Sequence, residues 1–360
     1  MEEQQKNRIE KILEQAVRER ASDVFIVAGI PVSFRKNGII HMEGKEKLFP
    51  PQTEELLREI YRLADRDIRI LIDGGDDDFS LAIPGFSRFR VCAYKQRGAL
   101  SAVMRIISFE LPDPSKLHIP PEIIGLGNYS NGMVLVTGQA GSGKSTTLSC
   151  IIEDINENRE AHIITLEDPI EYLHRHKKSI VSQREVVVDT ESYVAALRAA
   201  LRQSPDVILL GEMRDFETIS VAMTAAETGH LLLSTLHTIG AANTLNRIID
   251  VFPANQQHQI AVQLSTVLHA VVSQQLVPTV DNDIVPVFEI MTVTPAIRNM
   301  IRDNKIYQID GMIYSGTGGG MRSMDDGLKE LYAEGRITYE TALTYAINPD
   351  RIRRTTPRYM

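Results

Sequence analysis

A glycine-rich stretch at residues 138–146 carries the residue types that bind phosphate. It reads Gly-Gln-Ala-Gly-Ser-Gly-Lys-Ser-Thr and fits the nucleotide-binding pattern G-x-x-x-x-G-K-[ST]. The glycines let successive backbone N–H groups turn toward the phosphates, and Lys144 adds a positive charge. Ser145 opens a helix whose N-terminus favours anions, and its hydroxyl can hold Mg²⁺. The residues expected to bind ATP here are Gly138, Gln139, Ala140, Gly141, Ser142, Gly143, Lys144, Ser145 and Thr146.

Two carboxylates flank the short apolar run at 207–210, which predicts a buried strand. Asp206 precedes the run and Glu212 follows it. Six steps of about 3.3 Å separate the two residues by roughly 20 Å, so only one of them can lie near the phosphates. Ligands meet open α/β sheets at the carboxyl ends of the strands. We therefore expect Glu212 to hold either Mg²⁺ or the attacking water.

Three further carboxylates follow the predicted strand at 163–166: Glu167, Asp168 and Glu171. One of them is expected to activate water, and the residues leave open which one. The alternative is structural. Asp168 precedes Pro169, and Glu171 follows three residues later, which resembles a capping box at the start of a helix.

A histidine lies at each end of the next predicted strand, at 231–235. His237 follows the strand and, by the same strand-end rule, should approach the γ-phosphate. His230 precedes the strand, where a structural or subunit-contact role is expected. The first part of the chain contributes four arginines, for which solvation at the surface is the default expectation. A neighbouring subunit can, however, supply an arginine to phosphoryl transfer. These residues are Arg88, Arg90, Arg97 and Arg105.

The elements that position these residues fall into two regions. Proline-rich residues 111–121 suit neither a helix nor a central strand and predict a linker. Before it, residues 1–110 show an amphipathic first helix, a hairpin turned at Asn37-Gly38, a helical stretch at 53–72 and further strands. After it, residues 122–285 alternate apolar strands with helices, which predicts a parallel α/β sheet. Residues 286–360 look mostly helical, with a flexible break at 316–320.

Composition narrows the class of protein. The 360 residues carry a formal net charge of -8 and no tryptophan, which argues against a nucleic-acid binder. Cys92 and Cys150 lack the spacing of a zinc module or a disulfide framework, as expected in a reducing cytoplasm. No run approaches the ~18 apolar residues of a membrane span, so we expect a soluble protein that can dock on a membrane complex.

Several longer motifs resemble those of the type II/IV secretion ATPases. The run at 163–172 resembles their Asp box, 206–215 their atypical Walker B motif, and 228–238 their His box. The stretches 21–23, 183–186, 296–302 and 320–326 are similar to those of the PilT-type branch, the pilus retraction ATPases.

This resemblance implies a PAS-like N-terminal domain, a RecA-like motor domain and a homohexameric ring. The ring would hydrolyse ATP with Mg²⁺ and disassemble pilin filaments at an inner-membrane platform protein, on the cytoplasmic face of the membrane. A paralogous pilus ATPase could be a further partner. Glu171 and Glu212 fall on the catalytic carboxylates, and Arg90 and Arg105 on arginines that reach nucleotide. We also count Glu167, Asp168 and His230 among the residues that contact nucleotide.

Other functions are disfavoured by particular residues. Pilus-extension and type II secretion ATPases usually carry a four-cysteine zinc module, whereas this chain has two cysteines. A RecA-like nucleic-acid motor needs a basic channel or stacking aromatics. A non-hydrolysing regulatory ring would lack Lys144, Glu171 or Glu212, and all three are present. Phe25 stands where the retraction ATPases usually have histidine, which leaves open a principal motor or an accessory paralogue.

Overall fold

The computed structural model describes residues 7–36, 38–83, 87–107, 111–316 and 320–355. The chain divides into two compact units. The first unit comprises Met1–Glu110 and Glu171–Leu173, and the second comprises Leu111–Ile170 and His174–Met360. Within residues 111–121, predicted as a linker, 111–120 contain turns but no helix or strand, and a short helix begins at Pro121.

The first unit is built on a six-stranded antiparallel sheet in the order β3-β2-β1-β6-β5-β4. Helices pack on it through apolar residues at helical spacing, such as Ile9, Leu13 and Ala16, all fully buried. The elements are α1 Arg8–Arg18, β1 Asp23–Ile26, β2 Ser33–Lys36, β3 Ile39–Met42, α2 Pro50–Leu63, α3 Arg69–Gly74, β4 Asp76–Ile83, β5 Ser87–Gln96 and β6 Ala99–Ile107.

Two predictions for this unit have different outcomes. The hairpin is present as β2 and β3, with Gly38 at φ +79°, while Asn37 lies outside the described residues. The single helix expected at 53–72 is wrong, because the chain leaves the helix after Leu63 and begins another at Arg69. Asp65 adopts a left-handed φ of +49°, which turns Arg66 back to form an ion pair with Asp77.

The second unit contains a seven-stranded sheet in the order β13-β12-β7-β11-β10-β8-β9. The strands are β7 Gly132–Thr137, β8 His162–Glu167, β9 Ile180–Glu185, β10 Val207–Leu210, β11 Leu231–Leu236, β12 Leu268–Pro278 and β13 Ile284–Thr292. The helices are α4 Pro121–Ile124, α5 Lys144–Asn158, α6 Tyr193–Ala200, α7 Phe216–Glu227, α8 Ala241–Asp250, α9 Ala254–Val267, α10 Pro295–Arg302, α11 Ile309–Ser315, α12 Met324–Ala333, α13 Tyr339–Tyr345 and α14 Pro349–Thr355. Short 3-10 helices span Gly125–Asn128 and Ile306–Gln308.

The α/β class is confirmed, and the predicted apolar runs form the parallel centre of this sheet. Strands β7, β11, β10 and β8 are parallel neighbours, and helices cover both faces with apolar cores. Leu236 pairs with Thr137, and Leu210 pairs with Ser234 and Leu166. All four strands therefore end at one edge of the sheet, which we call the carboxyl edge; the opposite edge is the amino edge.

The expectation of a parallel sheet is corrected at one edge strand, and the mostly helical region expected after residue 285 begins later, at Pro295. Strand β12 joins the sheet beside β7, and β13 folds back antiparallel to it, so the sheet is mixed. Residues 284–292 follow a polar turn, bury every side chain from Val287 to Met291 and pair with β12 as a strand. Helices dominate from Pro295 onward. Within the expected break at 316–320, residues 317–319 lie outside the described residues. None of the described helices is long and apolar enough to cross a membrane.

Candidate nucleotide site

The glycine-rich loop joins the end of β7 to the start of α5, as its phosphate-binding pattern requires. The helix begins at Lys144, one residue before the predicted start. Gly138, Gly141 and Gly143 have φ values of +147°, +77° and +86°, which side-chain-bearing residues rarely adopt. A Cβ atom at Gly138 would overlap the carbonyl oxygen of Gln274 and would lie 2.6 Å from the hydroxyl of Ser142. The loop therefore needs glycine for both conformation and space.

Polar groups of the loop suit a polyphosphate. The ammonium group of Lys144, which is only 8% exposed, donates to the carbonyl oxygens of Gly138 at 3.0 Å and Gln139 at 2.9 Å. Within the described residues, the buried hydroxyls of Thr137 and Ser142 have no hydrogen-bond partner. Buried polar atoms without a protein partner are rare and commonly mark a ligand or ion site. Half-buried Ser145 and Thr146 follow in the first turn of α5.

Glu212 and His237 meet at the carboxyl edge, because β10 and β11 are neighbouring parallel strands. The Nε2 atom of His237 lies 3.2 Å from Oε2 of Glu212, and Nε of Arg214 lies 2.6 Å from Oε1. The Glu212 side chain is 13% exposed and the His237 side chain 48%. The hydrogen bond with Glu212 raises the pKa of Arg214 above its usual value. A carboxylate with a cation on one side and an exposed imidazole on the other can orient water or hold a divalent cation.

The carboxylates after β8 are placed differently from one another. Oε1 of Glu167 accepts hydrogen bonds from Oγ1 of Thr165 at 2.6 Å and from Nε2 of Gln183 at 3.2 Å. Asp168 is exposed and precedes a cis peptide bond to Pro169. Glu171 is exposed and groups with the first unit. The capping-box alternative is wrong, because residues 168–179 contain no helix for Asp168 to cap.

Tyr193, which the sequence analysis did not identify, lies among these acidic groups. Its hydroxyl approaches the backbone of Gly211 so closely that a Cβ atom there would lie 2.6 Å away. Burial raises the pKa of Tyr193 above its ordinary value, and the negative charges of Glu212, Asp168 and Glu167 raise it further. The tyrosine therefore remains protonated and can donate to a carboxylate or to substrate. A glycine at the end of a strand is the one sequence signal for this close approach.

His230 lies at the amino edge, at the start of β11. Its Nδ1 atom is 3.0 Å from the carbonyl oxygen of Ala225 and 3.2 Å from Oγ1 of Thr228. The six residues of β11, at about 3.3 Å each, separate this edge from the edge that carries the phosphate loop. The structure thus does not bring His230 to the phosphate loop of its own chain.

Arg90 and Arg105 form a cross-strand pair in the first unit. They lie directly opposite each other on β5 and β6, and both are exposed. Nε of Arg105 lies 3.2 Å from Oδ1 of Asp23, its other cross-strand neighbour, and NH1 of Arg35 lies 3.6 Å from Oδ2 of the same aspartate. One face of this sheet therefore carries a row of guanidinium groups.

Comparison with known proteins places these features in a family. A family model described as "Type II/IV secretion system protein" matches residues 2–318. The "Type IV pilus retractation ATPase PilT" of Pseudomonas aeruginosa is 41% identical over 342 residues, covering 95% of this chain and 99% of that protein. The "Type IV pilus ATPase PilU" of the same organism is 40% identical over 345 residues, covering 96% of this chain and 90% of that protein.

A solved structure supports the same placement. The "Crystal Structure of the Pilus Retraction Motor PilT and Bound ADP" superposes with a TM-score of 0.88 at 41% sequence identity, covering 97% of this chain and all of the other. The family model spans most of the chain, and each of these relatives covers nearly all of it at 40% identity or more. This chain belongs to the type II/IV secretion system protein family.

Proposed function

We propose that this chain is an ATP-hydrolysing motor that powers the retraction of type IV pili. The observation that carries the proposal is the convergence at one sheet edge of a phosphate-binding loop with the Glu212–His237 pair. This site occurs in a chain 41% identical to a protein described as a pilus retraction ATPase. The finer architecture that we propose is a PAS-like first domain and a RecA-like motor domain.

The phosphate loop would hold the nucleotide through its backbone N–H groups. Lys144 would turn from the carbonyls of Gly138 and Gln139 toward the phosphate oxygens, which are stronger acceptors because they are charged. Ser145 and Glu212 would hold Mg²⁺, which supplies charge neutralisation at the β and γ oxygens. The hydroxyl of Ser145 and the carboxylate of Glu212 are hard oxygen ligands of the kind that Mg²⁺ prefers.

The attacking water needs a base and a hydrogen-bond partner. We assign the base to Glu171, which is exposed, as Asp168 is, and which falls on a catalytic carboxylate of the family that the motifs resemble. Glu167 is less suited, because one of its oxygens already accepts two hydrogen bonds within the chain. His237 is half-exposed and would contact the γ-phosphate while Glu212 holds its other side.

We further propose that Arg90 and Arg105 act across a subunit boundary in a homohexamer. Like charges directly opposite each other in a sheet destabilise it; Asp23 offsets part of this by pairing with Arg105, and an anionic ligand would offset the rest. A nucleotide bound to the neighbouring subunit would supply that anion. Mixing Arg90→Ala subunits with Lys144→Ala subunits should then restore part of the hydrolysis at hybrid interfaces. Mixed rings that show only the sum of the two parents would contradict the assignment.

In the cell, the motor is expected on the cytoplasmic face of the inner membrane, bound through a pilus platform protein. Deleting the gene should abolish twitching while increasing the number of surface pili, because filaments would still extend but would not be withdrawn. Electron microscopy and a twitching assay measure both outcomes. Loss of pili together with loss of twitching would instead indicate an extension motor.

A second candidate is an accessory paralogue within the same machinery. The chain is 40% identical to PilU and 41% identical to PilT, so overall identity does not separate the two. A principal motor should be sufficient for retraction when a paralogous gene is deleted, whereas an accessory ATPase should fail in that background. Complementation of the double deletion with this chain alone distinguishes them.

A further inference from the structure

Strand β12 carries three adjacent polar residues near its centre, and the first two of them are buried. Ser273 is fully buried and Gln274 is 3% exposed. Successive side chains of a strand point to opposite faces of the sheet, so the two residues serve different faces. Burying polar groups costs folding free energy unless each of them makes hydrogen bonds, so the hydrogen-bond partners of the two side chains indicate their roles.

Gln274 lies against the phosphate loop at both ends of that loop. Its Oε1 atom accepts a hydrogen bond of 2.7 Å from Oγ1 of Thr147, in the first turn of α5. Its side-chain nitrogen lies 2.9 Å from the position that a Cβ atom on Gly143 would occupy. Its carbonyl oxygen is the atom that a Cβ on Gly138 would overlap. One residue thus contacts the first glycine, the last glycine and the following helix.

Ser273 lies against the segment that follows His237. Its hydroxyl oxygen accepts a hydrogen bond of 2.9 Å from the N–H of Gly240. Glu289 is the cross-strand neighbour of Ser273 on β13, and its Oε1 atom accepts a hydrogen bond of 2.8 Å from the N–H of Ala241. These are N–H groups at the start of α8, which have no partner within the helix. Ser273 and Glu289 therefore fix the point where the chain enters α8, three residues after His237.

We propose that Gln274 is a positioning residue for the phosphate loop and that Ser273, with Glu289, is a positioning residue for the segment carrying His237. Because Ser273 and Gln274 are consecutive, strand β12 joins the two segments mechanically. A displacement of the phosphate loop is thereby transmitted to the Glu212–His237 pair. This inference rests on the proposed ATPase function, because it assigns roles within that reaction.

Gln274→Leu tests the first half, with Gln275→Leu as a matched control. Gln275 is the next residue of the same strand, and its amide donates to the carbonyl oxygen of Tyr345, away from the phosphate loop. Gln274→Leu should weaken ADP binding about tenfold, the effect of losing one buried hydrogen bond, with a smaller change in kcat. Gln275→Leu should leave both within about twofold, as is usual away from the affected contact. Titration with a fluorescent ADP analogue and steady-state kinetics measure the two quantities.

A double-mutant cycle separates positioning from a loss of packing. If Gln274 acts through Thr147, then Thr147→Val should add little to the loss of ADP affinity already caused by Gln274→Leu. Losses that multiply in the double variant would show that the two residues act independently, which would overturn the assignment.

Ser273→Ala tests the second half and should give the opposite pattern. ADP affinity should stay within about twofold of wild type, while kcat should fall about tenfold, because His237 would lose its fixed position while the phosphate loop would not. Thermal unfolding by circular dichroism checks that each variant is folded at the assay temperature. Wild-type kcat in Ser273→Ala, or equal losses of ADP affinity in Gln274→Leu and Gln275→Leu, would overturn the inference. Failure of the proposed function would look different, because the wild-type ring would then not hydrolyse ATP.

Discussion

Both edges of the seven-stranded sheet carry titratable side chains, but the hydrogen-bond partners of these side chains differ between the edges. At the amino edge these side chains bond mainly to the main chain, with further contacts to the hydroxyls of Ser182 and Thr228. Asp206 accepts a hydrogen bond of 2.8 Å from the N–H of His162, and the Nδ1 atom of that histidine lies 3.0 Å from the carbonyl oxygen of Gln203. His230 contacts the carbonyl oxygen of Ala225 in the same manner. Main-chain partners of this kind are fixed by the fold.

At the carboxyl edge the acidic side chains bond mainly to other side chains. Glu212 contacts His237 and Arg214, and Glu167 contacts Gln183. Lys144 is the exception, because its ammonium group donates to the loop carbonyls of Gly138 and Gln139. The end of a side chain can exchange such a partner for a ligand without moving the backbone, whereas the amino-edge bonds hold backbone groups at the ends of strands and helices. The comparison teaches that the kind of partner, more than the residue type, separates the chemical edge of this sheet from its structural edge. Substitutions should therefore impair catalysis at one edge and stability or output at the other.

The largest effect is expected from Lys144→Ala and Glu212→Ala. Lys144→Ala should abolish ATP hydrolysis, because the charge of the transferring phosphoryl group would lose its nearest cation. Glu212→Ala should lower kcat at least ~10²-fold while ADP still binds. Coupled-enzyme assays and ADP titration measure these quantities. Undiminished kcat in the Glu212→Ala variant would show that Glu212 takes no part in catalysis.

The next largest effect is expected on pilus retraction, from substitutions in helix α10 at the amino edge. Helix α10 buries Ile297 and Ile301, as its spacing predicts, and exposes Arg298 and Arg302. Burial lowers the pKa of His269, at the amino edge of β12, against a hydrogen bond with the carbonyl oxygen of Asn131, and the nearby charge of Arg298 lowers it further. Reversing both arginines to glutamate should abolish pilus retraction in cells while hydrolysis stays within a few-fold of wild type.

The control for this double variant is Arg302→Lys, which preserves the charge. Retraction in cells, followed by fluorescence of labelled pili, should be normal in the control. Normal retraction in the charge-reversed variant at wild-type expression would show that α10 does not couple hydrolysis to retraction. A loss of ATP hydrolysis would instead show that the helix is needed for the structure of the ring.

The two histidines that flank β11 provide a paired test, in which a moderate loss of kcat is expected for one of them. His237→Ala should lower kcat about 10- to 100-fold, corresponding to the ~1.5–3 kcal/mol of a hydrogen bond to a charged group. His230→Ala should leave kcat within about twofold and lower the melting temperature instead, because its partners belong to its own chain. Equal losses of kcat in both variants would indicate that His230 contacts nucleotide across a subunit boundary.

Asp206→Ala should change stability alone. The carboxylate holds the N–H of His162 where β8 begins, and its removal should cost about 1–3 kcal/mol of unfolding free energy. Urea denaturation measures this loss, and kcat per folded molecule should be unchanged. A fall in kcat with unchanged stability would contradict the assignment of a purely structural role to Asp206 at the amino edge.

The smallest effect is expected from pH. Burial raises the pKa of Glu289 to about 7, with the nearby carboxylates of Asp310 and Asp325 acting in the same direction against hydrogen bonds from the N–H groups of Ala241 and Met324. The pKa of Glu289 is higher in the folded state than in the unfolded state, so the folded state binds more protons. The stability that this protonation contributes is present at low pH and is lost as pH rises through about 7. Stability should fall by about 1 kcal/mol between pH 6 and pH 8. Glu289→Gln keeps an acceptor for Ala241 and should remove that dependence, as urea denaturation at both pH values would show.

Sequence reasoning located much of the carboxyl edge, because its signals are local. The phosphate loop is a contiguous pattern, and four apolar runs bounded by turn residues predicted the central strands. The meeting of Glu212 with His237 followed from the rule that parallel strands end together. The catalytic roles assigned to these residues and to Glu171 stay predictions.

The missed features depend on contacts between distant residues. Gln274 and Thr147 are 127 residues apart, and no spacing in the sequence links them. The apolar residues of β12 fit a buried strand or a buried helix equally well, and only pairing with β7 and β13 decides between them. The break in the expected helix at 53–72 likewise depends on Asp77, a partner outside the segment.

The irregular start of β12 determines where this chain can change in length without disturbing the site. Leu268 pairs with Met133 and Ala270 with Val134, so His269 is an extra residue that bulges out of the ladder, stacks on Tyr129 and contacts the carbonyl oxygen of Asn131. Losing one residue between this bulge and Ser273 would slide the strand by one position and exchange its faces. Gln274 would then take the place of Ser273 at the entrance to α8, and Gln275 the place of Gln274 at the phosphate loop. A change of length in the turn after Pro278 would instead leave both faces of β12 in frame.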